Sequence, residues 1–330
     1  MEKKRILSGM RPTGKLHLGH LHGALRNWIE LQNQGDYECY YFVADWHALT
    51  SEYNNTEPIR ANIRDMVIDW LAVGLDPAKS TLFIQSRIKE HAELFVLLSV
   101  ITPLAWLERN PTYKEMRAEL VEKDLATFGF LGYPVLQAAD IIMYKAYGVP
   151  IGMDQLPHVE LTREIARRFN FLYGEVFPIP EPLLTDVPKL LGIDGRKMSK
   201  SYENSICISD RGEELKKKVA AMFTDPQRQR KSDPGRPELC NVYTFQKLYG
   251  PAGEAEEIAL SCREAGIGCT GCKQKLAEYI AAAMRPIHER RDYYASHLDE
   301  VRAIIEDGNN RATAVARLTM AEVRKAVKIE

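Results

Sequence analysis

Nothing in the 330 residues approaches an uninterrupted apolar run of membrane-spanning length, so no helix is expected to cross a bilayer. Net charge is nearly absent too: 44 Lys+Arg against 45 Asp+Glu leave −1. Any contact with nucleic acid must therefore come from local basic patches rather than from overall charge. The start, Met1-Glu-Lys-Lys-Arg5, offers too few apolar residues before Ser8-Gly9 for a signal-peptide core, and a cytoplasmic location is expected. Cysteine is scarce, with six in all. In a reducing compartment these are not expected to pair as disulfides, and a cluster among them points to metal. Internal repeats and low-complexity tracts are missing as well. What is present is 45% hydrophobic residues in a chain longer than one ordinary domain, material for a packed core and two domains.

The first part alternates short β-rich runs with helical patterns. Gly9-Met-Arg-Pro-Thr-Gly-Lys-Leu-His-Leu-Gly-His20 is a glycine-broken loop between an apolar run and an amphipathic segment. Such a strand–loop–helix offers backbone amides to phosphate, and His17 and His20 add two imidazoles at the helix start. Cys39-Tyr-Tyr-Phe-Val-Ala44 is continuously apolar, the pattern of a strand buried on both faces. Thr56 and Pro58 open a helix that Gly74 closes, and Thr81-Leu-Phe-Ile-Gln85 is the next strand. This alternation predicts an α/β fold built on a doubly wound parallel sheet, with ligands at the carboxyl ends of its strands. Residues 103–145 read as a helical insertion broken near Asn110-Pro111. Val149 to Gln155 returns to strand and loop, and His158 to Arg168 forms a charged helix. Beyond about Asn204 only helices are expected, so a C-terminal all-helical domain should begin near there.

Far downstream lies a short polar loop, Lys197-Met-Ser-Lys-Ser201. Two ammonium groups there can hold a triphosphate and offset charge on departing pyrophosphate. Alone it reads as a solvated loop; paired with His17-Leu-Gly-His20 in this order, it resembles the two signature sequences of class I aminoacyl-tRNA synthetases. The resemblance implies a Rossmann-like catalytic domain over 1–203 and a helical anticodon-binding domain over 204–330. It also implies nucleotide contacts from Arg11, Pro12, Thr13, Gly19, His20, Lys197, Met198, Ser199, Lys200 and Ser201, with His20, Lys197 and Lys200 catalytic. Arg11 stands where many close relatives have Gln. Gly152-Met153-Asp154 resembles the family's ribose-contacting loop, whose carboxylate can accept from both ribose hydroxyls, and Leu190 is expected to pack against adenine.

Tyr133, Gln137 and Asp140 fall on one helical face by their spacings of four and three. Indole has one donor and no acceptor, so a pocket choosing tryptophan needs an acceptor such as Asp140. A tyrosine hydroxyl can use the same trio. Wider resemblance decides: Ala44 to Thr50, Gly132 to Ile142 and Gly152 to Asn170 are similar to the tryptophanyl branch of that family, with ATP, Mg²⁺, tryptophan and tRNA(Trp) as ligands and a homodimer as the assembly. By that match His47, Gln155, Val149 and Ile151 join the amino-acid pocket. The alternatives are the tyrosyl branch, a small-molecule nucleotidylyltransferase, which needs no helical region after Asn204, and a non-catalytic RNA-binding or iron–sulfur regulatory descendant.

Cys240, Cys262, Cys269 and Cys272 are spaced C-x21-C-x6-C-x2-C. Four such cysteines are a metal signature; zinc fits the count, while one tight pair with two scattered partners is closer to a cluster arrangement. The stretch resembles the subset of bacterial tryptophanyl enzymes that carry a four-iron, four-sulfur (4Fe-4S) cluster, which is expected here over zinc. Nearby basic runs, Lys216 to Lys218 and Arg228 to Lys231, are expected to meet RNA phosphates.

Overall fold

A computed structural model describes residues 3–110, 126–184, 190–199 and 202–329. Part of the expected helical insertion, Pro188, Lys200 and Ser201 lie outside them. The chain divides into two compact units: residues 1–14, 24–187 and 294–330 form the first, residues 15–23 and 188–293 the second.

The first unit is built on a five-stranded parallel sheet of order β3-β2-β1-β4-β5. Its strands are β1 Lys4–Met10, β2 Tyr37–Val43, β3 Ser80–Ile84, β4 Gly148–Ile151 and β5 Glu181–Leu184. The continuous apolar run of β2 follows from burial on both faces. Tyr40 and Phe42 join a cluster with Phe83, Leu94, Ile142 and Phe169. Tyr41 points the other way and stacks on Trp28 at 4.5 Å, with Trp70 edge-on to Trp28 at 5.5 Å. Trp28, Trp70 and Tyr41 are each at most 1% exposed, and burying side chains of this size stabilises the fold by roughly 1.5–3 kcal/mol apiece. Helices therefore cover both faces, as the doubly wound reading requires.

The chain winds outward from β1 through β2 to β3, then returns to place β4 on the other side of β1. The reversal between β1 and β4 opens a crevice at their carboxyl ends, the usual ligand position in such sheets.

One expectation is corrected here. The helical part does not run as a separate block from Asn204 to the end, because the last helix, Leu298–Val327, belongs to the first unit. Ala312, Ala316, Met320 and Val323 enter the sheet's own core. The helix also covers the edge of β3: Ile84 N–H donates to Asn309 Oδ1 at 3.0 Å, and Arg311 donates to the carbonyls of Pro77 and Ser80. Gly308 must lack a side chain, since a Cβ there would lie 1.8 Å from the Leu82 carbonyl oxygen. An edge strand that would otherwise offer unpaired backbone to a second chain is thereby closed.

The second unit is helical among its described residues, with Gly212–Ala220, Asn241–Tyr249, Glu254–Arg263 and the start of Cys269–Ser296. Residues 15–23 join it through a short antiparallel ladder: Leu18 N–H donates to the Ile206 carbonyl and Ile208 N–H to that of Leu16, both at 2.9 Å. Among the described residues no helix is long and apolar enough to cross a membrane.

Candidate active site

In the first unit, two of the expected nucleotide loops leave the carboxyl ends of adjacent strands. Arg11, Pro12 and Thr13 follow β1, where Thr13 N–H bonds to the Arg11 carbonyl at 2.9 Å and Gly14 turns with φ +117°. Gly152, Met153 and Asp154 follow β4. A single 3₁₀ turn, Met153–Gln155, folds the Asp154 carboxylate back toward Gly152, so that a Cβ on Gly152 would lie 2.7 Å from Asp154 Oδ1. The carboxylate stays exposed and holds Gln155 Nε2 at 3.0 Å. An exposed carboxylate beside bare backbone suits a sugar's paired hydroxyls.

The predicted trio sits on helix Phe128–Met143, capped by the Thr127 side chain, which accepts from Phe130 N–H at 3.2 Å. Tyr133 and Asp140 are buried and Gln137 is half-buried. Tyr133 Oη meets His158 Nε2 at 3.1 Å, and its ring lies edge-on to His47 with centroids 6.3 Å apart. Val149 and Ile151 are buried on β4, and Gln155 is half-buried at the turn beyond.

Asp140 is wholly buried, and here sequence reading was incomplete. It anticipated a carboxylate open to a ligand; the structure surrounds it with donors. His47 Nε2 donates to Oδ2 at 2.8 Å, His91 Nδ1 to Oδ1 at 2.6 Å, and Gln85 Nε2 lies 2.8 Å from both oxygens. Gln85 is oriented in turn, because its Oε1 accepts from Trp46 N–H at 3.1 Å. His91 Nε2 meets Tyr144 Oη at 2.7 Å. Burial disfavours an ionised Asp140, but the hydrogen bonds from His47 and His91 outweigh it and hold the carboxyl below its usual range. Gln85, His91 and Tyr144 carried no sequence signal: they stand on separate elements that only the folded sheet brings together.

In the second unit the two signature segments meet. His17 caps the start of Leu18–His20, with His17 N–H donating to His20 Nδ1 at 3.1 Å. The following residues, Leu21–Leu25, form a π-turn kinked at Gly23, so the regular helix begins only at Arg26, later than the sequence pattern implies. A Cβ placed on Gly19 would lie 3.7 Å from Met198 Sδ, which puts the first signature against the second. Lys197 is exposed, as a phosphate-binding ammonium must be. Its loop is held from within by Asn204, which the sequence did not single out: Asn204 Oδ1 accepts from Ser199 N–H at 2.9 Å, and Nδ2 donates to Asp194 Oδ1 at 2.7 Å and to the Lys197 carbonyl at 3.1 Å. Leu190, expected against adenine, is 4% exposed and its carbonyl accepts from Met198 N–H at 3.3 Å.

Cys240, Cys262, Cys269 and Cys272 line one cavity of the second unit. Among the described residues no three His, Cys, Asp or Glu side chains are gathered closely enough to hold a metal ion, so the expected metal site finds no support there. Two donors already reach the sulfurs: Arg228 Nη1 lies 3.3 Å from Cys262 Sγ, and Gln246 Nε2 lies 3.7 Å from Cys272 Sγ. Two residues of the basic runs beside them are engaged within the chain. Arg228 turns inward to the carbonyls of Lys231 and Ile267, and Lys218 pairs at 2.6 Å with Asp210, whose carboxylate is 1% exposed. Neither faces a nucleic acid as a free cation.

Comparison with known proteins agrees with this geometry. Residues 1–285 match the family model described as tRNA synthetases class I (W and Y). The chain is 53% identical to the tryptophan–tRNA ligase of Thermotoga maritima, covering 98% of this chain and 99% of that one, and 46% identical to that of Aquifex aeolicus, covering 98% and 100%. A crystal structure of the Campylobacter jejuni tryptophanyl-tRNA synthetase complexed with ADP and tryptophan superposes with a TM-score of 0.90 at 33% identity, covering 98% of this chain and 99% of that one. With both signatures in contact in the second unit, a doubly wound parallel sheet in the first and relatives of this closeness along its length, the chain belongs to the class I tRNA synthetases, in the tryptophan–tRNA ligase family.

Proposed function

We propose that the chain condenses L-tryptophan with ATP to tryptophanyl-adenylate and pyrophosphate, then moves the tryptophanyl group to the 3′ end of tRNA(Trp). The observation that carries this reading is the contact of the two signatures, Gly19 against Met198, within one unit. The tryptophan carboxylate attacks the α-phosphorus and pyrophosphate leaves, so no side-chain nucleophile is needed. The protein's part is placement and charge. Gly19 and His20 receive the nucleotide, with Arg11, Pro12 and Thr13 beside it; Gly152, Met153 and Asp154 take the ribose, and Lys197 and Lys200 offset charge on the leaving group, with Met198, Ser199 and Ser201 completing their loop. Mg²⁺ accompanying ATP adds positive charge there. Asp140 accepts the indole N–H, while Tyr133, His47, Gln137, Gln155, Val149 and Ile151 shape the pocket. ATP–pyrophosphate exchange with each of the twenty amino acids tests the reading. Tryptophan alone should support rapid exchange; faster exchange with tyrosine would transfer the chain to the tyrosyl branch.

The helical second unit is assigned to the tRNA anticodon, in the cytoplasm. Cys240, Cys262, Cys269 and Cys272 hold a 4Fe-4S cluster that orders its loops. What supports this is the donor set: four cysteine thiols line one cavity of the second unit, and their C-x21-C-x6-C-x2-C spacing resembles that of cluster-bearing relatives. Two copies of the chain pair through apolar side chains exposed on neighbouring helices of the first unit, Val96, Val100, Leu104 and Phe128, which are 57–77% exposed.

A further inference from the structure

Asp140 is held by three donors of unequal standing. Gln85 and His91 are 0% exposed and His47 is 7% exposed, so His47 alone borders open space. His91 is itself fixed from behind. With its proton on Nδ1 it donates to Asp140 Oδ1, and Nε2 accepts from the Tyr144 hydroxyl, which is also 0% exposed. Burial raises the Tyr144 pKa far above its usual value, so the hydroxyl keeps the proton it donates. The Tyr144–His91–Asp140 line therefore has one satisfied arrangement, and it is shielded from water throughout.

We infer that His91, backed by Tyr144, is a positioning residue for tryptophan selection: it locks Oδ1 so that Oδ2, on the His47 side, faces the indole N–H in a fixed direction. This rests on the reading that Asp140 accepts that N–H. The physical need is plain. Rotation of a carboxylate about Cβ–Cγ is soft, and an acceptor free to turn discriminates poorly between a donor and an isostere that lacks one. Gln85, bridging both oxygens, holds the plane; His91 holds the end away from the substrate.

The test compares tryptophan with 3-(benzothiophen-3-yl)alanine, in which sulfur replaces the indole N–H, by pyrophosphate exchange on the full-length protein. For Tyr144→Phe and His91→Leu, kcat/KM for tryptophan should fall roughly 10- to 100-fold, as for a lost hydrogen bond to a charged group, while the value for the analogue changes less than about threefold. His91→Asn, which keeps a donor near the Nδ1 position, should recover part of the preference. Equal losses for both amino acids would mean a merely structural role and overturn the inference, and Tyr144→Phe, nearly isosteric, keeps the test open if His91→Leu fails to fold. Asp140→Ala, which removes both acceptor oxygens, separates the two levels. If it leaves the preference intact, the indole reading and this inference fall together; if it abolishes the preference while Tyr144→Phe does not, the positioning role alone is wrong.

Discussion

His158 lies between two polar partners, Tyr133 Oη at 3.1 Å and Asn110 Nδ2 at 3.3 Å, yet burial lowers its pKa to about 4. The contacts suit a neutral ring, one nitrogen accepting from Asn110 and the other donating to Tyr133. The consequence for stability has a definite sign. An unfolded chain takes up a proton on this imidazole below about pH 6.5, whereas the folded chain refuses it until about pH 4. The unfolded state thus binds more protons across that window, and stability falls as pH falls through it, by about 3 kcal/mol at most for this group. Thermal melting from pH 7 to pH 4 should show a shallower acid loss for His158→Asn than for the unaltered chain. Parallel curves would show that His158 charges freely. Sequence marked Tyr133 by helical spacing but gave no sign of His158 as its partner, because hydrogen bonding across 25 residues is set by how two helices pack.

At the level of elements, the loop carrying Lys197 shows how a mobile-looking polar stretch is made specific. The sequence Gly192-Ile-Asp-Gly-Arg-Lys197 reads only as a turn. In the fold, Asn204 is 2% exposed and ties Ser199, Lys197 and Asp194 together, and Gly192 passes so close that a Cβ would lie 2.3 Å from Asn204 Cγ. Removing that amide takes one hydrogen-bond partner from Ser199 N–H and one from the Lys197 carbonyl. Asn204→Ala should slow pyrophosphate exchange with tryptophan on the order of tenfold or more, while tryptophan binding in the absence of ATP, followed by intrinsic fluorescence, stays unchanged. A matching loss of tryptophan affinity would move Asn204 from the lysine loop to a general role in folding. The strands were more legible, since β2 and β3 begin one or two residues before their predicted starts, and a run buried on both faces needs no tertiary information to be recognised.

At the scale of the whole molecule, the last helix belongs with the sheet. Deleting residues 298–330 would uncover the edge of β3 and strip Ala312, Ala316, Met320 and Val323 from the core. The shortened chain should therefore lose its cooperative thermal transition and bind a hydrophobic dye; retention of a sharp melt and of exchange activity would show that the helix is dispensable. The apolar side chains on the first unit bear on assembly. Sedimentation should find the unaltered chain as a dimer and Val100→Glu shifted toward monomer, since a buried unpaired carboxylate is costly at an apolar contact. A monomeric unaltered chain would remove the proposed pairing.

Local chemistry along the chain was enough to determine the parallel α/β sheet, the two signature segments, the Tyr133–Gln137–Asp140 face and the four-cysteine spacing. Each depends on period, turn residues or motif spacing, which are written in consecutive positions. The tertiary structure alone decided that residues 15–23 join the second unit, that the last helix returns to the first, that Arg228 and Lys218 are spent on internal partners, and that Asp140 rests in a cradle of Gln85 and His91. These are choices among partners distant in sequence, made by competition for burial and for hydrogen bonds in the folded interior, and no local pattern records which competitor wins.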